Sequence, residues 1–508
     1  MENDEVNVRL QPILPRGLRD WVGSEVEERR HALGVITDVY KRYGFVPLDT
    51  PAMEFAHCIG SFLPDTDRPS GGVFGIQDED DWLALRYDLT APLARFVALN
   101  RHTLVFPYKR CAWGAVWRNE KPGPGRFREF YQCDADIVGA TSVFADAELC
   151  AMACEALEAL GIPDKGYTLH LNSRKVLDGI LEMANIPKKD GNDETRATVL
   201  RALDKLDRLS ISGVSLLLGE GRKDESGDFT KGAGLSSDQI SMIMTLFQVD
   251  AESELCLGDN EKMLRKLSDL VKTTPSGMDG VNELEKIAEI LDKNPHACGR
   301  FVVDPSVVRG LAYYTGSVFE IGLNAGIFPD SGTHRKFGAI AGGGRYDQLV
   351  QRYGGEPIAA TGISIGIDRL LAAAQSMTSR PRWLQDTHGS VVILLLDDNC
   401  LISYQTMALE LRKHGISAEV YMGQSRSMGR QLKYADKRQA SVAIIEGENE
   451  REQHEVVIKD LLLGKELAQG IHTNQEWKEQ PAQRSVARSD MVREVLETLE
   501  RQKKALFG

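Results

Sequence analysis

Two stretches of alternating character, 109–118 and 127–138, stand on either side of NEKPGPGR. A segment with two prolines and two glycines continues neither a strand nor a helix, so the trio predicts an antiparallel hairpin. Strand side chains alternate between two faces. One face of the first strand then carries Arg110, Ala112, Gly114, Val116 and Arg118, and one face of the second carries Phe130, Gln132, Asp134 and Asp136. Charged and small residues on one strand face leave two readings. The hairpin is solvent-exposed with surface charges, or the sheet floors an anion site with Arg118 and Arg126 flanking the loop. Arginine suits the second, because its guanidinium fork donates two parallel hydrogen bonds to a phosphate.

The remaining pattern divides the chain. At 508 residues it is too long for one core. Helical spacing over 19–43 ends at Gly44 and is followed by a short strand, FVPLD. LALRYDL at 83–89 predicts a strand, 90–99 a helix, and 144–160 a helix ending at Gly161. From 172 to about 298, helical patterns rich in Lys, Asp and Glu break at KKDGND, GEGRKDESGD and TTPSGMDG. This predicts a helical insertion, placed at about 180–298, in a first domain of 1–375. Residues 376–389 form a polar linker. From 390 to 508, VVILLL, 402–414, SAEVYM, 428–438, SVAIIEG and EVVIKDL alternate as a small α/β domain, closed by a charged amphipathic helix at 487–504.

Composition narrows the class. Hydrophobic residues are 42% and charged residues 27%, as in ordinary globular proteins. No apolar run reaches the ~18 residues of a membrane span. MENDEVNVRLQPILPRG has no apolar core, so no signal peptide is expected. Eight scattered cysteines without a CxxC predict reduced thiols, no metal site and a cytoplasmic protein. A net charge of −13 argues against wholesale nucleic-acid binding. Charge acts locally, however, and two windows are basic. One holds Lys109, Arg110, Arg118, Lys121, Arg126 and Arg128; the other holds Arg426, Arg430, Lys433, Lys437 and Arg438.

Four more segments carry chemistry. In LRYDLTAP, Asp88 and Thr90 point the same way if extended and could bind an ammonium group; alternatively, Thr90 caps a helix with Pro92 in its first turn. AGGGRYDQLV lacks both the GK[ST] of a phosphate loop and the G-x-G-x-x-G of a dinucleotide fold. Gly342 to Gly344 are therefore expected to let a flat ligand lie against bare backbone. In TGISIGIDRLL, Arg369 sits on a helix entered from a glycine-bearing strand, and taken by itself it reads first as a surface residue. In VVRGLAYYTGSVFE, Arg309 interrupts an apolar strand, at a cost of several kcal/mol unless an anion or hydrogen-bonding partner meets it.

Together these segments resemble the histidyl-tRNA synthetase family of class II aminoacyl-tRNA synthetases, over nearly the whole chain. TPAMEF resembles class II motif 1, the Arg118 hairpin with RFREF motif 2, and GISIGIDRL motif 3. RGLAYYTG and GGGRYDQLV are similar to segments specific to the histidine enzyme. AEVYMGQSRSMGRQLKYADKR and VVIKDL resemble its anticodon-binding domain. The resemblance implies an α/β (α+β) fold: a catalytic domain on a mostly antiparallel sheet, a helical insertion against the tRNA acceptor arm, and a C-terminal α/β domain. It implies a homodimer that makes histidyl-adenylate from ATP and histidine, with Mg2+, and charges tRNA(His).

Site residues follow from the same resemblance. Arg118 and Arg309 would be catalytic. Arg118, Glu120, Arg126 and Arg369 would bind ATP, Arg118 at the α-phosphate and Arg369 at the γ-phosphate. Asp88, Thr90 and Gln132 would hold the α-amino group, Arg309 the carboxylate, and Asp136 with Tyr313 and Tyr314 the imidazole. The alternative within the resemblance is the histidine-binding paralogue that regulates ATP phosphoribosyltransferase. Two departures stand out. Ala312 replaces the usual acid, and KPGPGR places Gly123 and Pro124 where the family reads an extra 5′ nucleotide of tRNA(His). Charging is therefore expected not to depend on that nucleotide. Strict alternation would send Arg309 and Tyr314 to opposite faces, so an irregular strand entry is expected between them.

Overall fold

The computed structural model describes residues 11–59, 72–122, 127–188, 193–206, 209–223, 227, 229–251, 259–308, 310, 314–328, 338–354, 356–378, 381, 389–463 and 482–507. The chain divides into two units, Met1–Pro381 and Arg382–Gly508.

The first unit is organised by an eight-stranded sheet. Its strands, in spatial order, are Val46–Pro47, Tyr108–Trp117, Glu129–Val138, Ala360–Gly366, Ala339–Arg345, Ser317–Leu323, Tyr167–Ser173 and Phe301–Val303. The six inner strands pair antiparallel, and each edge strand pairs parallel to its neighbour. The mostly antiparallel sheet and the hairpin of its second and third strands match the sequence reading.

Helices Ser24–Arg42, Phe144–Ala159 and Ile367–Ser376 cover one face. The strand residues pointing at them are apolar: Ala135, Ile137, Phe319, Ile321, Ile363 and Ile365 are buried. Tyr40 is fully buried there and donates to the Cys133 carbonyl. Arg345 also faces this side. It pairs with the buried carboxylate of Asp146, which accepts hydrogen bonds from Ser317 and Thr361 as well.

The segment expected as a helical insertion holds helices Arg174–Met183, Asp193–Leu203, Ile211–Leu218, Ser237–Ala251, Asn260–Val271 and Pro275–Asp292. It also holds a two-stranded hairpin, Gly221–Lys223 with Phe229–Lys231, that periodicity did not reveal. Pro275–Asp292 lies against Arg174–Met183 where Gly179 and Gly277 meet; a Cβ on Gly179 would be 2.7 Å from the Gly277 Cα. Close packing of this kind ties the two helices to each other.

Two strand expectations need correction. LALRYDL is a strand only to Leu85, in a small sheet of Met53–Phe55, Asp81–Leu85 and Gly75–Asp78. Among the described residues of VVRGLAYYTGSVFE, strand begins at Ser317.

The second unit is a five-stranded sheet in the order Ala418–Val420, Val391–Ile393, Val442–Ile445, Glu455–Asp460 and Gln483–Ala487. The first three are parallel and the last two join antiparallel. Helices Leu401–Lys413, Met428–Lys437 and Met491–Phe507 complete it. The expected C-terminal helix thus starts at Met491, because Gln483–Ala487 is an edge strand. Among the described residues no helix is long and apolar enough to cross a membrane.

Candidate active site

The sheet face away from those three helices is built differently. Arg110 stands opposite Asp136, Asp136 opposite Gly362, and Gly362 opposite Gly344. Two residues along each strand, Ala112, Asp134, Ser364, Gly342, Glu320 and His170 form a second row. Gly114, Gln132 and Gly366 form a third. The middle of the face is glycine and serine, and its rim is charged. Space is tight at the first row: a Cβ on Gly362 would strike the Asp136 carboxylate, and one on Gly344 would come within 2.8 Å of the Tyr314 ring. Gly342 is open by comparison. Gly343 points to the opposite, packed face, where a Cβ would strike Phe319. Of the three glycines expected to present bare backbone to a ligand, Gly342 alone has open space over it; Gly344 is covered by the Tyr314 ring and Gly343 faces the packed side.

Arg110 anchors the site and is fully buried. Its Nη2 lies 2.9 Å from Asp136 Oδ2 and donates to the Leu89 carbonyl at 2.8 Å. Tyr346 donates its hydroxyl to Asp136 Oδ1. Burial works against the Arg110 charge, and Asp136 and Asp134 more than offset it. Burial likewise pushes the carboxyls of Asp134 and Asp136 up, and Arg110 opposes this for both. Two buried carboxylates thus share one guanidinium, which suits the pocket to a ligand that brings hydrogen-bond donors or positive charge.

Arg110 and Tyr346 were not among the expected site residues. Arg110 had a legible signal, since alternation puts it on the face that register shares with Asp136. Tyr346 had none, because its partner lies 210 positions away in sequence.

The chain after Leu85 crosses this face at the outer strand. Trp117 N–H donates to the Arg86 carbonyl at 3.0 Å. Asp88 Oδ1 then accepts from the N–H groups of Thr90 and Ala91 at 3.1 and 2.8 Å. Asp88, not Thr90, is therefore the side chain capping helix Thr90–Asn100, and the two residues are not an extended pair. A capping carboxylate leaves Oδ2 uncommitted. Burial pushes the Asp88 carboxyl up, while the Ala91 N–H and the Arg118 guanidinium pull it down.

Arg118 lies beside Asp88. Its Nε donates to the Tyr87 carbonyl at 3.3 Å, and its guanidinium sits 5.3 and 5.1 Å from the Tyr87 and Phe130 ring centres. Gln132 Nε2 donates to Ser364 Oγ at 2.8 Å, and its buried Oε1 has no hydrogen-bond partner in the described structure. Glu120 is partly buried just beyond the hairpin's first strand. Arg369 lies in the first turn of helix Ile367–Ser376 and donates to the Ala339 carbonyl.

Tyr314 reaches the site through a bend. Gly310 has φ +65°, and Tyr314 N–H donates to its carbonyl at 3.0 Å. Only glycine adopts that φ freely. The ring of Tyr314 rests against Gly310 and Gly344. Burial pushes its hydroxyl pKa up, and Asp136 is the largest charge adding to the shift. The irregular entry expected before the strand is present. Arg126, Arg309, Ala312 and Tyr313 lie outside the described residues.

The comparisons with known proteins agree with this geometry. Residues 17–370 match the sequence profile of histidyl-tRNA synthetase. The chain belongs to the histidyl-tRNA synthetase family. Residues 390–498 match the anticodon binding domain. The histidine–tRNA ligase of Cereibacter sphaeroides is 50% identical over 503 residues, covering 98% of this chain and all of that protein. The histidine–tRNA ligase of Bartonella bacilliformis is 46% identical over 96% of this chain and 97% of that protein. The crystal structure of histidyl-tRNA synthetase from Nostoc sp. PCC 7120 superimposes with a TM-score of 0.71 at 27% identity, covering 96% of this chain and all of that one. An ATP phosphoribosyltransferase regulatory subunit/histidyl-tRNA synthetase from Bacillus halodurans shares the fold, with a TM-score of 0.63 at 20% identity over 84% of this chain and 97% of that one.

Proposed function

We propose that this chain is a histidine–tRNA ligase, which activates histidine with ATP to histidyl-adenylate and transfers histidine to the 3′ end of tRNA(His). The observation that carries this reading is the juxtaposition of the Asp136–Arg110–Tyr346 group with Arg118 and Asp88 on one small-residue face. It occurs in a chain that has both the synthetase and the anticodon-binding domains.

Each residue has a task in this reading. Asp136 accepts from the imidazole N–H, and the hydroxyl of Tyr314, with Tyr313 beside it, supplies the second polar contact. Asp88 Oδ2, Thr90 and the unpartnered Oε1 of Gln132 receive the α-ammonium group. Attack of the histidine carboxylate on the α-phosphate brings two anions together. Arg118 and Arg309 lower that repulsion and stabilise the charge that develops in the transition state. Arg369 and Arg126 hold the outer phosphates. A site built from paired polar groups rejects an amino acid lacking them by on the order of 10⁴-fold, so no editing site is needed.

Magnesium accompanies ATP. Among the described residues no group of three or more His, Cys, Asp or Glu gathers for a metal. The ion would be held mainly by phosphate oxygens and water, with Glu120, two residues after Arg118, as a carboxylate that could meet it. When bound, the ion would neutralise the outer phosphates.

Other partners follow. Exposed Met53, Phe55 and Ile76 on the motif 1 sheet suit a homodimer contact. Exposed Arg430, Lys433 and Lys437 on helix Met428–Lys437 suit an RNA loop.

Pyrophosphate exchange into ATP tests the reading. Histidine alone among the amino acids should support exchange, and Arg118→Ala should lower it by about 10²–10³-fold. Absence of histidine-dependent exchange would favour the regulatory paralogue. Charging of transcripts with and without the extra 5′ nucleotide should give equal rates.

A further inference from the structure

Residues before the first helix are joined to the base of the arginine hairpin by an unusual set of contacts. Pro15 to Leu18 form a turn closed by Leu18 N–H to the Pro15 carbonyl at 3.1 Å, with Gly17 at φ +82°. That φ at the third position is the signature of a type II turn, which needs glycine. The turn docks on Arg128. Arg128 N–H donates to the Gly17 carbonyl at 2.8 Å, and its Nη1 donates to the Arg16 carbonyl at 3.2 Å. The fit leaves no room for a side chain on Gly17: a Cβ would be 2.7 Å from Arg128 Cγ and Cδ and 3.1 Å from Pro122 Cβ.

Arg128 is the residue that fixes Arg118. Its carbonyl accepts the Arg118 N–H at 2.8 Å, closing the hairpin beyond the ends of the two strands. Its Nη2 donates to the Asn119 side chain, and its guanidinium lies 4.4 Å from the Phe74 ring centre. Further along, Arg19 sits 3.4 Å over Trp21 and 5.1 Å from Phe127, and Arg29 lies 5.0 Å from Trp21 and 4.0 Å from Tyr131. Tyr131 N–H donates to Asp368 at 2.9 Å, next to Arg369. The segment thus holds the start of the second hairpin strand at Phe127 and Arg128, and through Trp21, Arg29 and Tyr131 it reaches the helix start that carries Arg369.

We propose that Arg16–Trp21 is a positioning brace for Arg118, and through Asp368 for Arg369, so that it sets the affinity for ATP rather than for histidine. This rests on the reading of Arg118 and Arg369 as phosphate ligands. The brace makes hydrogen bonds and ring contacts with Arg128, Phe127 and Arg29, and none of these involves Asp136, Tyr346 or Gln132, so the two substrates should separate. A misplaced guanidinium costs catalysis disproportionately, because charge stabilisation depends on geometry set in advance.

Histidine-dependent pyrophosphate exchange with the full-length chain tests it. Gly17→Ala and Trp21→Ala should each raise KM for ATP about tenfold and leave KM for histidine within about twofold. Trp21→Phe keeps an aromatic face under Arg19 and should restore KM for ATP to within about threefold of the parent. It also keeps the test decisive if Gly17→Ala folds poorly. KM values for ATP and histidine that rise together, in step with a falling thermal midpoint, would overturn the brace, as would an unchanged KM for ATP. Arg118→Ala run alongside separates the two claims. If it leaves KM for ATP and kcat unchanged, the phosphate reading itself is wrong. If it lowers exchange while the brace variants do not, the brace alone is wrong.

Discussion

The two faces of the central sheet are made by the same strands and have opposite compositions. Toward the helices point Ala135, Ile137, Phe319, Ile363 and Ile365, all buried against apolar neighbours. Toward the site point Arg110, Asp134, Asp136, Gln132 and Ser364, with Gly342, Gly344 and Gly362 between them. Alternation lets one strand serve both purposes: the apolar face fixes the backbone, and the rigid backbone fixes the polar groups. Each face holds a buried arginine paired with a carboxylate, and on the site face Asp134 draws on the same guanidinium as Asp136. Arg110 meets Asp136, and Arg345 on the packed side meets Asp146.

Substitutions on each face should therefore have different signatures. The largest effect is expected for Arg110→Met, which leaves Asp134 and Asp136 without their counter-charge. Histidine-dependent exchange should fall by about 10³-fold or more, and stability by about 3–5 kcal/mol in urea unfolding. Loss of activity with unchanged stability would show that the pair is not buried as described.

Ile365→Ala, on the opposite face one residue from Ser364, should cost about 2–5 kcal/mol of stability through the cavity it leaves. KM for histidine and for ATP should stay within about twofold. A selective rise in KM for histidine would mean that the faces are not independent.

The smallest effect lies where the two faces meet the motif 3 helix. Burial pushes Asp368 up to about 6, opposed by the Tyr131 N–H. The folded pKa is then above the unfolded value of about 3.9, so the fold binds the proton more tightly. This carboxyl favours folding when protonated, and that stability is lost as pH rises from about 4 through about 6. Asp368→Asn has no such titration. Relative to the parent, it should gain on the order of 2 kcal/mol between pH 4.5 and 7.5, read from urea midpoints at both pH values. An equal pH response in the two proteins would contradict the shift.

Much of this contrast was legible before the structure. The hairpin strands, Tyr108–Trp117 and Glu129–Val138, begin and end within about two residues of the expected limits, because alternation and a Pro/Gly loop are local signals. The bend before Tyr314 followed from parity together with the resemblance, which puts Arg309 and Tyr314 in one site. What escaped was set by distant partners. Tyr346 is defined by Asp136 across the sheet. Gln483–Ala487 has polar, half-exposed residues and is a strand only because Glu455–Asp460 pairs with it. At the helix start, the choice between Asp88 and Thr90 depended on which side chain the entering chain turned inward, and Asp88 took the N–H groups.

The most direct test is a crystal structure of the chain with histidine bound. The imidazole should lie within hydrogen-bond distance of Asp136 and Tyr314, beside the open Gly342, with the carboxylate toward Arg118. A histidine seated elsewhere, or one whose imidazole contacts neither Asp136 nor Tyr314, would contradict the assignment of this face as the amino-acid site.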